Sequence, residues 1–173
     1  MLFGILNMTN QTNNPVVLIY ILWILCVNYA CITDRDVSEV PHISLTGLSK
    51  NAMKQSALNE DSLWLFLKFE DGDGDISYPA TDTTRDVTII DRRTGFLHDR
   101  YKLPDFQISG EKQIDGELKI LIFTTCCLIE GIPPCFSDTR FPTDTVDFDV
   151  FIRDRAGHVS NTVTIPDIII KCD

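Results

Sequence analysis

Val146-Asp147-Phe148-Asp149-Val150-Phe151-Ile152-Arg153 is the stretch on which the fold turns. Val146, Phe148, Val150 and Ile152 share one face. Asp147, Asp149 and Arg153 share the other, and only Phe151 breaks the polar side. A period of two is what a half-buried strand requires, because successive side chains point to opposite faces. Similar signals recur on both sides of it. Leu63–Phe69 is apolar and aromatic, and its length favours a buried strand over a helix. Val87–Ile90 and Phe96–Tyr101 flank Asp91-Arg92-Arg93-Thr94-Gly95, which reads as a hairpin with Arg92-Arg93 at a solvated tip. Asp115-Gly116 precedes a strand over Glu117–Thr125, and His42–Leu45 follows Pro41 as a first strand. Downstream, Ala156-Gly157-His158 is a turn, and Val159–Ile165 leads into Ile168–Ile170. Ser49–Ser62 is mixed and polar and reads as a loop. About seven short strands, with no long helical face beyond residue 32, predict an all-β antiparallel sandwich. Trp64 is the expected core anchor, and a closed barrel is the competing architecture.

The chain has 173 residues, 15 basic and 25 acidic, for a net charge of −10. That balance argues against general nucleic-acid binding, because phosphate backbones repel it. With 44% hydrophobic and 23% charged residues, the chain is neither disordered nor a multi-span membrane protein. No charged side chain precedes Asp34. Pro15–Val27 is almost wholly apolar but shorter than the roughly 20 residues of a bilayer span, which fits the core of a secretory signal. The run ends at Asn28-Tyr29-Ala30-Cys31.

Ala30-Cys31 resembles a bacterial lipoprotein signal, in which a small residue precedes a cysteine that is lipidated and becomes the new N-terminus. Asn28, Tyr29 and the missing basic start depart from the strict pattern. An uncleaved signal anchor is the alternative, and both readings put the following residues outside the cytoplasm. The expected organisation is a signal helix over 1–30, a tether over 31–40 and a sandwich domain over 41–173. The partner this implies is a membrane, reached through a lipid on Cys31 in the cell envelope, at the outer membrane. Asp34 and Asp36 resemble the surface-export tag of Bacteroidetes lipoproteins, with Arg35 interrupting it.

Leu67-Lys68-Phe69-Glu70-Asp71-Gly72-Asp73-Gly74-Asp75-Ile76 resembles a motif of small Bacteroidetes lipoproteins. So do Tyr101–Asp105, Asp115-Gly116-Glu117 and Phe151–Asn161, in order, over roughly residues 41–170. The last stretch is similar to the F–G hairpin of bacterial immunoglobulin-like domains, with His158 where Asn is usual. The resemblance implies an immunoglobulin-like sandwich in the envelope and lends no catalytic residue.

Asp71, Asp73 and Asp75 alternate with glycines. Carboxylates this close repel one another unless solvated, protonated or metal-bound. Ca²⁺ takes six to eight oxygens from such groups. An EF-hand is rejected, because Phe69 and Ala80 would stand at its first and last ligand positions. In an immunoglobulin-like sandwich the B–C and F–G loops share one end. With Leu63–Phe69 as strand B and Val146–Ile152 as strand F, Asp154 would join the three to complete a Ca²⁺ site. The competing reading is a solvated Asp-Gly turn.

Cys126, Cys127, Cys135 and Cys172 remain in the mature domain, while Cys26 lies within the apolar run. In an oxidising compartment, four cysteines allow three pairings. A local bridge from Cys126 or Cys127 to Cys135 is expected. Adjacent cysteines on a strand diverge, so only one of the pair should serve, and free buried thiols are the alternative. No local pattern supports a Cys–His nucleophile using His98 or His158, or an acid/base pair using Glu70. The function expected is a non-catalytic envelope module, stiffened by calcium, that presents loops to an envelope protein or glycan. The alternative is a hydrolase acting on envelope glycans or peptides.

Overall fold

Eight strands and no helix are found among the residues described by the computed structural model, 37–106 and 113–173. The signal segment, Cys31 and tether residues 31–36 lie outside that range. The strands are β1 (His42–Leu48), β2 (Ala52–Lys54), β3 (Ser62–Asp71), β4 (Val87–Asp91), β5 (Phe96–Tyr101), β6 (Ile114–Phe123), β7 (Thr143–Ile152) and β8 (Val163–Lys171). They form two sheets, β1-β3-β6 and β2-β8-β7-β4-β5, packed as a sandwich. Every pairing is antiparallel except β2 with β8.

The alternation along β7 sets the core as its sequence requires. Val146, Phe148, Val150 and Ile152 are fully buried, and they meet Leu63, Leu65 and Leu67 of β3 and Ile120 and Ile122 of β6 from the facing sheet. Each such side chain contributes roughly 1.5–3 kcal/mol through its removal from water. Near the middle of β8, Pro166 and Asp167 together face Asp147, because Val146 pairs with Ile168 and Phe148 with Ile165. This bulge accommodates a proline inside a strand. The Asp167 N–H donates to the Asp147 carboxylate at 3.0 Å.

Three expectations about the strands and cysteines are corrected. Trp64 is not a core anchor: it is 38% exposed, with Lys119 Nζ 4.2 Å above its ring. Odd-numbered residues of β3 face inward, and an unbroken apolar run conceals which phase that is. Ser49–Ser62 is not all loop. It contains β2, whose Met53 is buried and whose three residues are too few to show a period. Both adjacent cysteines are used, in Cys126–Cys135 and Cys127–Cys172. The opposite-face argument fails because β6 ends at Phe123, so the pair lies beyond the strand. Gln55, buried between the two ends of the second bridge, donates to the Cys172 carbonyl and accepts from the Cys127 N–H.

One end of the sandwich is closed by side-chain bonds. The Asn161 amide accepts from the Ile43 N–H and donates to the Ile43 carbonyl, both at 2.8 Å. It thereby acts as a one-residue neighbour to the free edge of β1.

Candidate functional site

The inward positions of β3 run Leu63, Leu65, Leu67, Phe69, and the next is Asp71. The inward positions of β7 run Val146, Phe148, Val150, Ile152, and two residues further on is Asp154. The two strands belong to facing sheets. Each therefore delivers a carboxylate, 0% exposed, at the same rim of the core. Gly74, with a φ of 71°, turns the chain so that Asp75 comes back to them. One carboxylate oxygen from each of Asp71, Asp75 and Asp154 lies within 4.8 Å of the other two.

Backbone donors hold the three in place. The Asp75 N–H donates to Asp71 Oδ2 at 2.9 Å, and the Ala156 N–H donates to Asp75 Oδ2 at 2.9 Å. The His158 N–H donates to Asp154 Oδ1 at 2.7 Å, and its Nδ1 lies 3.0 Å from Oδ2. The Tyr78 hydroxyl donates to the Asp154 carbonyl at 3.0 Å. Asp71 Oδ1, Asp73 Oδ1 and Asp75 Oδ1 are buried atoms with no hydrogen-bond partner. Orphaned buried acceptors cost free energy. Burial, reinforced by the Asp73 charge, pushes the Asp71 carboxyl up to about 6. Burial and the Asp154 charge also raise Asp75, while the Asp154 carboxylate raises His158.

The structure thus brings Asp71, Asp75 and Asp154 together. Asp73 lies outside the tight trio, though its charge bears on both Asp71 and Asp75. Tyr78 and His158, which buttress Asp154, were not singled out as parts of this site by sequence reasoning. Nothing in the local pattern marks a tyrosine that reaches across 76 residues.

Other sequence candidates separate. Cys126 and Cys127 are in disulfides, so neither is a free thiol nucleophile. Glu70 points to the outer face of β3, opposite to Asp71. Arg93 is not a solvated tip. Its side chain is 15% exposed, with Nη2 2.6 Å from Asp91 and Nη1 2.6 Å from Asp144. Arg92 does remain outside, 49% exposed.

His98 lies in β5, with Nε2 2.9 Å from the Phe123 carbonyl and its ring centroid 4.6 Å from that of Phe148. Burial lowers its pKa below the usual 6.5. The Phe123 carbonyl and the Asp91 and Asp99 carboxylates oppose that, and Arg93 adds to it. The unfolded chain therefore takes up a proton near pH 6.5 that the folded state resists. The stability linked to His98 is full above that pH and is lost as pH falls below it, at up to about 1.4 kcal/mol per pH unit for one proton. In urea unfolding between pH 7.5 and 5.5, His98→Gln is expected to lack that part of the acid slope. Parallel slopes for the two proteins would contradict the assignment.

Comparison with family models, curated proteins and solved structures finds no match to this chain.

A second surface feature is a concavity of about 500 Å³ on the outer face of the five-stranded sheet. Arg85, Arg100 and Arg153 line it together with Thr83, Thr84 and Thr88. Arg85 and Arg153 donate to backbone carbonyls of Arg100 and Gly157.

Proposed function

We infer that this chain is an immunoglobulin-like module held outside the cytoplasm by a lipid on Cys31, with a non-catalytic role in binding or scaffolding at the cell envelope. The observation that carries the reading is the pair of disulfides, Cys126–Cys135 and Cys127–Cys172. Disulfides form and persist in oxidising compartments and are rare in the cytosol. The apolar run Pro15–Val27, read as an export signal, points the same way.

The strand order supports the immunoglobulin-like assignment. With β1, β3 and β6 as A, B and E, and β4, β7 and β8 as C, F and G, the strand order is that of the ABED and CFG sheets of the fold with strand D missing. β5 then extends the second sheet beyond C, and β2 lies beside G. The loops at the rim hold carboxylates on backbone amides and present them to one another, a geometry better suited to gripping a cation than to acid/base catalysis. The arginine-lined concavity offers an envelope protein or glycan a cationic surface on an otherwise acidic domain.

The test is Cys31→Ala in a bacterial host fed labelled palmitate. The unaltered protein is expected to take up label and to be shortened to a chain that begins at Cys31, and the variant to do neither. An unlabelled protein that stays in membranes with or without Cys31 would support an uncleaved anchor instead.

A further inference from the structure

We propose that Asp71, Asp73, Asp75 and Asp154 form a calcium site at one rim of the sandwich, and that the bound ion stiffens the segment by which the chain leads into the domain. The site does not depend on the lipid anchor. Three observations carry it. First, the Asp71 side chain is 0% exposed and its Oδ1 has no partner. A fully buried, unpaired carboxylate oxygen is expensive to maintain, and a cation is the partner that three converging carboxylates with the Asp73 charge beside them call for. Second, Asp73 Oδ1 and Asp75 Oδ1 are likewise buried and unpaired, so three of the four orphaned buried side-chain oxygens among the described residues are gathered in one loop, the fourth being the Tyr101 hydroxyl. Third, Asp71 Oδ2, Asp75 Oδ2 and Asp154 Oδ1 take backbone N–H donors, from Asp75, Ala156 and His158, which fix the carboxylates without neutralising them, while the second Asp154 oxygen faces His158 Nδ1 at 3.0 Å.

All-oxygen ligation by flexible carboxylates suits Ca²⁺. Mg²⁺ demands a tighter octahedron and sheds its water reluctantly. Four carboxylates supply four oxygens, or more where one binds through both. Extracellular calcium modules work at dissociation constants of about 0.1–1 mM, the range expected here.

The link to the lead-in segment runs through Gly72. Its N–H donates to the Ser38 carbonyl at 2.9 Å. A Cβ on Gly72 would sit 2.1 Å from the Val37 carbonyl oxygen and 2.6 Å from that of Ser38, so only glycine lets the two backbones meet. Gly72 stands between two of the proposed ligands. An ion that orders residues 71–75 therefore orders the backbone against which Val37 and Ser38 are laid. Val37 and Ser38, at the end of the segment assigned to the tether, are in this respect part of the site.

The experiment uses the full-length protein, purified in detergent and stripped with chelator. Saturating calcium is expected to raise the unfolding midpoint by about 5 °C or more, and equal magnesium to raise it much less. Terbium should bind the stripped protein and be displaced by calcium. Asp73→Asn, which removes a ligand that makes no side-chain hydrogen bond among the described residues, should weaken calcium several-fold. Asp71→Asn should weaken it at least about tenfold. Deuterium uptake in the peptide spanning Gly72 should slow when calcium is added.

No midpoint shift and no terbium binding would overturn the site, and an equal magnesium effect would overturn calcium as its ion. An unchanged calcium response in both variants would place the ion elsewhere. A midpoint shift with unaltered exchange at Gly72 would overturn the coupling to the lead-in segment. Terbium binding to the unaltered protein keeps the test decisive if a variant does not fold.

Discussion

Replacing Cys127 and Cys172 together by alanine is expected to destabilise the domain by roughly 4 kcal/mol, the chain-entropy value for a bridge that closes 45 residues. The loop runs from the end of β6 through the whole of β7 and β8, so cutting it frees the last strand of the larger sheet from its anchor. Gln55 compounds the loss, because it holds the Cys172 carbonyl and the Cys127 N–H from a buried position. With the bridge gone, these groups must find each other without a covalent guide. Against a typical margin of about 5–15 kcal/mol, the variant would be poorly populated at elevated temperature. Removing Cys126 and Cys135, which close a loop of nine, should cost less, roughly 2–3 kcal/mol. Urea unfolding of the two double variants would rank them. A smaller loss for the 127–172 pair than for the 126–135 pair would contradict this account of the bridges.

Arg93→Ala is expected to cost about 3 kcal/mol. Arg93 joins three separate parts of the chain: Asp91 at the end of β4, Asp144 in β7, and the Cys126 carbonyl in the segment after β6. With its side chain 15% exposed and those of Asp91 and Asp144 9% and 20% exposed, the group is well shielded from solvent. Removing the cation leaves two nearby carboxylates without a counter-charge, and loss of one partner of a buried pair typically costs about 3–5 kcal/mol. The partial exposure places this case at the low end. Arg93→Lys should recover less than half, because one ammonium cannot reproduce the planar fork that spans both carboxylates. A loss below about 1 kcal/mol for the alanine variant, measured by urea unfolding at neutral pH, would show an ordinary surface ion pair instead.

The contrast between Arg92 and Arg93 shows where sequence stops being informative. Both stand in the same turn and both are arginine. One is exposed and the other is enclosed, because Asp144 and the Cys126 carbonyl arrive from elsewhere in the chain. No local pattern encodes that arrival. Alternation along Val146–Ile152 was legible because it is local: a period of two names its own inner face. Leu63–Phe69 was legible as a strand but not in its phase, since six of its seven residues are apolar, and Trp64 was assigned to the wrong side. β2 was invisible because three residues show no period and its parallel partner lies more than a hundred residues away.

The rim carboxylates were legible for a mixed reason. Asp71, Asp73 and Asp75 announce themselves by spacing. Asp154 joins them only through which loops share an end of the sandwich, and the facing positions of β3 and β7 bring Asp154 to Asp71 and Asp75. Tyr78, His158 and Gly72 complete the arrangement through bonds to distant backbone, and each looks ordinary in the sequence.

Intact mass of the protein extracted from membranes reports cleavage, acylation and thiol oxidation together. The expected species begins at Cys31, carries acyl groups on that residue, and is lighter by two hydrogens for each of two disulfides. A mass equal to the unmodified 173-residue chain, with its thiols free, would contradict both the lipid anchor and the oxidising compartment.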